Sequence, residues 1–292
     1  MTGGYPGATF INRNLAKAAA ELGIGFGVGS ERAAILKGSF PESYSCARDY
    51  DVPLKLANIG APQIIPQGGE DRVVGVAEAT KAMDLIGAHM LAIHMNFVQE
   101  RIQPEGDRRA RGALVRIQQL AKAFPVLAKE TGAGIAFEVA RRLKKAGVRG
   151  FDVSGRGGTS FAAVEYYRAL RQGSTLHARL GKTFWDWGLP SPVSVTELAP
   201  LGLPVIASGG IRTGLDAARA LALGASAVGT AGGILRAATE SYEKTRQELS
   251  YFLEELRTAM FLTGCQRVAD LRKVRRVIGG QTRLWLEGGS RG

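Results

Sequence analysis

Short apolar runs alternate with longer stretches of helical period along the whole chain. The runs fall at 23–29, 52–59, 90–95, 126–129, 151–153, 205–207 and 227–229. Each closes on polar, ionisable or glycine residues: Ser30, Asn58-Ile59-Gly60, His94-Met95-Asn96, Lys129-Glu130, Ser154-Gly155, Ser208-Gly209-Gly210 and Thr230-Ala231-Gly232. Segments of helical period, at 77–86, 136–146, 162–170 and 214–223, lie between them. Continuous apolar strands separated by amphipathic helices imply a parallel sheet covered on both faces. This many units predict an α/β fold of the (β/α)8 TIM-barrel type, whose active site lies at the C-terminal strand ends. Seven strands are recognisable, not eight. The opening Met1-Thr2-Gly3-Gly4 reads as the loop after a strand, so the first strand is expected to be missing. With no internal linker, residues 1–292 are expected to form one N-terminally truncated barrel domain. The stretch 173–192, with Trp185 and Trp187, is expected to be an ordered active-site loop or insertion.

Composition narrows the class. The 292 residues are 45% hydrophobic, ample for a large core, and 39 glycines with 7% aromatics suit an α/β protein rich in tight turns. No apolar run approaches the roughly 18 residues of a membrane span, and no basic segment followed by an apolar one marks a secretory signal. Cys46 and Cys265 lie far apart with no CxxC, which argues against a zinc site or disulfide scaffold and predicts a reducing, cytoplasmic setting. The net charge of +12 admits nucleic acid, an acidic membrane or a phosphorylated substrate. The basic groups cluster at 108–111, 141–145 and 272–276 without interleaved aromatics, so a nucleic-acid groove is not expected. The middle cluster reads as the solvated face of an amphipathic helix.

The last two strand ends carry the clearest chemistry. Ser208-Gly209-Gly210-Ile211-Arg212 and Thr230-Ala231-Gly232-Gly233 are glycine-rich turns that each enter a helix. Backbone N–H groups there can approach a phosphate, and the helix dipole favours it. The alternative is that these glycines only permit tight turns. Ser154-Gly155-Arg156-Gly157-Gly158-Thr159 could bind a ribityl phosphate or a diphosphate. Lys129, at a strand end, could stabilise negative charge on a flavin ring. By the two-residue period of a strand, His94 and Asn96 project to one side, with Gln99 and Glu100 just beyond. A carboxylate beside amides, near a phosphate site, is a candidate Mg²⁺ ligand. The competing reading makes His94 a hydrogen-bonded barrel residue and the acids loop charges that offset Arg101, Arg108 and Arg109.

Together these segments resemble the type 2 isopentenyl-diphosphate isomerase family. The resemblance runs in order through Met1-Thr2-Gly3-Gly4, Gly27-Val28-Gly29-Ser30, Ala57-Asn58-Ile59-Gly60, His94-Met95-Asn96 with Gln99-Glu100, 103–107 (QPEGD), Lys129-Glu130, Gly157-Gly158-Thr159 and 184–188 (FWDWG). The QPEGD and FWDWG segments are specific, while the glycine loops and 256–264 (LRTAMFLTG) are shared with other flavin barrels. The resemblance implies an FMN barrel interconverting isopentenyl and dimethylallyl diphosphate. It implies Mg²⁺ and reduced FMN, with NADPH able to supply electrons and no net redox change. By match, Thr2, Gly3, Ser30, Asn58, Lys129, Ser154 and Thr159 would contact FMN, and Gly210, Arg212, Ala231 and Gly232 would hold its phosphate end. His94, Asn96 and Gln99 would face the substrate as catalytic residues, and Glu100 would ligate Mg²⁺. A homo-oligomer, tetramer or octamer, is implied.

Two departures stand out. Phe97 occupies a position where the family carries Pro or Ala, and the basic segment that precedes the family's first strand is absent from this sequence. Two other functions compete. An FMN-dependent α-hydroxy-acid oxidase or dehydrogenase needs a His base beside a carboxylate-binding Arg, and the loop 154–158 (SGRGG) has no His. An inactive phosphate-binding barrel fragment is the other.

Overall fold

The computed structural model describes residues 2–68 and 73–289. Seven parallel strands form one sheet in chain order: β1 (Phe26–Gly27), β2 (Lys55–Gly60), β3 (Met90–His94), β4 (Val126–Lys129), β5 (Gly150–Asp152), β6 (Val205–Ala207) and β7 (Ala227–Val228). At least one helix lies between each pair of consecutive strands, as parallel pairing requires. All seven expected runs contain a strand: the fourth and sixth keep their bounds, the fifth is shifted by one residue, and the first, second, third and seventh are shorter. The second starts at Lys55 rather than Val52, because Pro53 has no N–H to give the ladder. The architecture is an incomplete (β/α)8 barrel.

The central strands are apolar because both faces are covered. Leu91, Ala92 and Ile93 of β3 and Val126, Leu127 and Ala128 of β4 are buried. Ile59, Leu91, Ile93, Phe151 and Val205 share one core with Ile86, Leu120, Leu143 and Leu221 from the surrounding helices. On the helix Phe137–Lys145, Ala140 and Leu143 face that core while Arg141, Arg142, Lys144 and Lys145 do not, which is the solvated basic face expected from the sequence.

The sheet's two ends differ from its middle. Among the described residues β1 pairs only with β2, and β7 only with β6. The outer helices nevertheless meet across that gap. The helix Ala8–Leu22 packs against the helices Gly232–Glu240 and Tyr242–Leu262. Asn14 Nδ2 donates to the Ala238 carbonyl at 3.1 Å, and Glu21 accepts from Tyr242 and Arg246. The helical layer thus joins the helix before β1 to the helices after β7, where the strand ladder does not.

Residues 173–192, expected as an ordered loop or insertion, contain the helix Thr175–Thr183. It lies against the helix Phe161–Arg171 so closely that a Cβ at Gly181 would come within 2.8 Å of Tyr166 Cβ. No helix among the described residues is long and apolar enough to cross a membrane.

Candidate active site

Strand register builds the first part of the site. Gly60 pairs with His94, His94 with Lys129, and Lys129 with Asp152, which sets four consecutive strand ends in one row. Lys129 and Asp152 form a buried ion pair, Nζ to Oδ2 at 2.7 Å, with each side chain 9% exposed. Ser208, just past β6, donates its hydroxyl to the other Asp152 oxygen. Lys129 Nζ also donates to the Glu130 carbonyl at 3.2 Å. Two of the three ammonium N–H groups are therefore used by protein.

His94 lies beside this pair. Its Nδ1 is 2.8 Å from Asn58 Oδ1, while Asn58 Nδ2 donates to the Val28 carbonyl at 3.0 Å. The Asn58 oxygen can only accept, so the tautomer protonated at Nδ1 satisfies this contact. Burial, reinforced by the Lys129 charge, lowers the His94 pKa to about 4, so the ring is neutral near pH 7. Asn58 is held in turn by Glu31: the Asn58 N–H donates to Glu31 Oε2 at 2.8 Å, and the Glu31 N–H to the Asn58 carbonyl at 2.8 Å. Burial raises Glu31 to about 8, opposed by the Asn58 N–H.

A second cluster sits beyond β3. The strand ends at His94, and Asn96 takes the N-cap position of the short helix Phe97–Ile102. The two-residue alternation therefore stops before Asn96, whose side chain is placed by the helix instead. Gln99 Nε2 donates to Glu165 Oε1 at 2.9 Å, as does Gln103 Nε2 at 2.8 Å, and Arg168 pairs with Glu165 at 2.7 Å. Glu165 belongs to the helix Phe161–Arg171, whose start is fixed by Ser160 accepting from the Ala163 N–H at 3.1 Å. Glu100 Oε2 accepts from the Asp107 N–H at 2.8 Å, and Asn96 Nδ2 reaches Glu100 Oε1 at 3.4 Å. Burial raises the Glu100 pKa. Asp107 itself is held by Arg32 at 3.1 Å and Gln63 at 3.2 Å, which anchors the QPEGD turn over the site. Asn96 Oδ1 is buried with no hydrogen-bond partner. It borders a small cavity with Gln99, Glu130, Phe161 and Trp185. Burial pushes Glu130 up to about 7, although its carboxylate collects the N–H groups of Thr131, Gly132 and Ala133.

The loops after β5, β6 and β7 form the third part, from backbone. A Cβ at Gly209 would collide with the Gly155 carbonyl, and one at Gly210 would lie 2.5 Å from the Gly157 carbonyl. Both have positive φ, +84° and +92°, which glycine alone adopts readily. Ser191 Oγ fastens the stack by donating to the Ser208 and Gly209 carbonyls at 2.9 and 2.7 Å. Glycine is thus needed for loop-on-loop packing whatever else the loops hold. The two following helices differ at their starts. Thr213 and Asp216 cap the helix Gly214–Ala222, and Glu255 accepts the Gly214 N–H at 2.6 Å. The helix Gly232–Glu240 has no side-chain cap and no acid in its first turn, and Ala231, Gly232 and Gly233 are exposed. Its free N–H groups are the ones open to an anion.

Known proteins bear directly on this arrangement. The sequence profile of the FMN-dependent dehydrogenase family matches residues 113–277. A Thermoplasma volcanium protein named isopentenyl-diphosphate delta-isomerase is 48% identical over 287 residues, 98% of this chain and 82% of its own length. A protein of the same name from Archaeoglobus fulgidus is 45% identical over 291 residues, 98% and 81% of the two chains. The chain belongs to the isopentenyl-diphosphate delta-isomerase family. Among solved structures, a mandelate oxidase carrying an FMN adduct matches with a TM-score of 0.59 at 23% identity, over 92% of this chain and 74% of that one. That likeness is one of fold.

In this isomerase-family chain, the residues expected at a flavin are distributed as follows. Thr2 and Gly3 lie across the end of β1, where the Thr2 carbonyl accepts the Gly29 N–H at 2.8 Å and Tyr44 fills the space a Gly3 side chain would need. Met1, which opens the motif, lies outside the described residues. Ser30 follows β1, and its carbonyl accepts from Tyr44 at 2.6 Å. Asn58 and Lys129 stand in the buried row. Ser154 takes a positive φ of 31° at the end of β5, and Thr159 is exposed on the next turn. Gly210, Arg212, Ala231 and Gly232 are at the ends of β6 and β7. These residues fit FMN: Lys129 keeps one N–H unspent, side-chain-free backbone lines the loops, and an uncapped helix start is available to a phosphate. Among the described residues, no three His, Cys, Asp or Glu side chains form a cluster able to hold a metal alone. Glu100 could supply one carboxylate to a Mg²⁺ shared with a phosphorylated ligand.

Sequence reading missed Asp152, Glu165 and Glu31. Asp152 looks like the end of a buried strand, and Glu165 like one more charge on a helical segment. Glu165 and Arg168 stand three positions apart, which marks a helix pair, but nothing in the sequence shows that Gln99 lies across from it.

Proposed function

We propose that this protein is an FMN-dependent isomerase that interconverts isopentenyl and dimethylallyl diphosphate in isoprenoid biosynthesis. Mg²⁺ assists, and NADPH is the source of electrons for the flavin. The 48% identity to a protein of that name over 98% of the chain carries the reading. The chain acts as a single FMN-binding barrel domain within a homo-oligomer, tetramer or octamer. Two unpaired cysteines, one buried, fit a cytoplasmic setting.

Reduced FMN, when bound, supplies the proton donor and acceptor for a double-bond shift that protonates one carbon and deprotonates another. Thr2, Gly3, Ser30, Asn58, Lys129, Ser154 and Thr159 would hold the flavin, and Gly210, Arg212, Ala231 and Gly232 its phosphate. Lys129 places positive charge at the buried row. His94, neutral near pH 7, orients the substrate by hydrogen bonding rather than by charge. Gln99 and Asn96 position the reacting end of the substrate. Gln99 is an amide and a poor acid, and its Nε2 donates to Glu165 Oε1 at 2.9 Å, which fixes the orientation of the amide. Glu100 would bind Mg²⁺ against the substrate diphosphate, with Asn96 beside it.

The α-hydroxy-acid oxidase reading lacks support at the residue level. The loop after β5 offers Arg156 but no His, and likeness to mandelate oxidase at 23% identity extends to fold alone. The test is to supply the purified chain with FMN, Mg²⁺ and a reductant and follow isopentenyl diphosphate by NMR. Dimethylallyl diphosphate should form, and Glu100→Gln should sharply weaken the Mg²⁺ dependence while flavin stays bound. Oxidation of a 2-hydroxy acid without any isomerisation would overturn the reading.

A further inference from the structure

Asp152 is held on both sides. Its backbone carbonyl accepts the Glu130 N–H at 2.9 Å, one carboxylate oxygen takes Lys129 at 2.7 Å, and the other takes Ser208. Stability alone does not account for such a pair. Replacing a buried ion pair with well-packed apolar groups is often neutral or stabilising, because desolvation offsets the Coulomb attraction. The pair instead sits on the rim row, with one Lys129 N–H left over. A buried lysine with no counter-ion would present a full positive charge to a neighbouring cofactor. With Asp152 at 2.7 Å it presents little more than a dipole.

We propose that Asp152 is a positioning residue that neutralises Lys129 and thereby sets how strongly the site prefers reduced over oxidised FMN. The inference rests on the FMN-dependent reading above. Reduction of the flavin by two electrons and one proton leaves a negative charge on the ring, and a full Lys129 charge would favour that state beyond what a reversible proton carrier needs. Ser208 tempers the effect from the far side. Its hydrogen bond draws carboxylate charge away from Lys129.

The midpoint potential of bound FMN, titrated spectroscopically with dithionite in the purified flavoprotein, tests this. Asp152→Asn should favour reduced over oxidised flavin by about tenfold, a rise of roughly 30 mV for a two-electron couple. Ser208→Ala should move the potential the other way, by a few-fold in the same ratio, because Asp152 then holds Lys129 more strongly. Should Asp152→Asn fail to fold, the downward shift in Ser208→Ala still decides the matter. An unchanged potential in Ser208→Ala, or shifts of the same sign in both variants, overturns the role of Asp152 and leaves the FMN reading standing. Failure of the unsubstituted chain to bind FMN at all overturns both.

Discussion

At the ends of β2 to β5 the rim is made of buried side chains, Asn58, His94, Lys129 and Asp152, each held by a partner from a neighbouring element. At the ends of β6 and β7 it is made largely of backbone, with Gly209 and Gly210 packed on the preceding loop and Ala231 to Gly233 exposed. The first region can tune charge and protons, because its groups are dry and burial holds the His94 pKa down at about 4. The second, Ser208 apart, serves to anchor, because it offers N–H groups whose direction is set by φ and ψ. A cofactor with a reactive ring at one end and a phosphate at the other suits such a division.

The sharpest way to break the side-chain region is Lys129→Met. It leaves Asp152 buried without its counter-ion, and removing one partner of such a pair costs about 3–5 kcal/mol. Thermal or denaturant unfolding should show that loss, and adding Asp152→Asn should recover much of it. A variant as stable as the parent would show that the pair carries no structural weight. The backbone region should break next. Gly209→Ala forces a side chain onto a φ of +84° and into the Gly155 carbonyl, at roughly 1–3 kcal/mol for the conformation alone. Weaker retention of FMN on gel filtration, with the absorbance of any remaining bound flavin unchanged, is the expected result. Altered flavin absorbance with normal retention would blur the division between the two regions.

Glu31→Gln sharpens the contrast through pH. Because burial raises Glu31 to about 8, the folded chain keeps a proton that the unfolded chain loses near the ordinary glutamate value. Its contribution is therefore fully present below that ordinary value and is lost as pH rises through about 8, with a slope of at most about 1.4 kcal/mol per pH unit. In melting curves between about pH 5 and 9, the Glu31→Gln variant should lack this component of the decline. Parallel curves for the two proteins would count against the buried neutral acid. The smallest effect is expected from Arg212→Ala, since Arg212 is exposed. Weakening of FMN binding by up to about 1 kcal/mol at low salt, vanishing at high salt, fits an exposed charge. A large, salt-independent loss would place Arg212 with the buried groups.

The order of elements was written in the chain. Apolar runs ending in polar or glycine residues are what a parallel sheet with covered faces requires, so the seven strands and the polar rim beyond them could be read from local pattern, although Asp152 at the end of β5 could not. The stretch 173–192 was less legible, since the helix Thr175–Thr183 depends on Gly181 letting it approach Tyr166. What tertiary structure alone decided was pairing. Register brought Asp152 to Lys129 across 23 positions and a helix packing brought Glu165 to Gln99 across 66. Burial then decided protonation, leaving His94 neutral and Glu31 raised. Local sequence sets which backbone conformations are available to a segment. The charge state of a group depends on what surrounds it in three dimensions, and those neighbours come from distant parts of the chain.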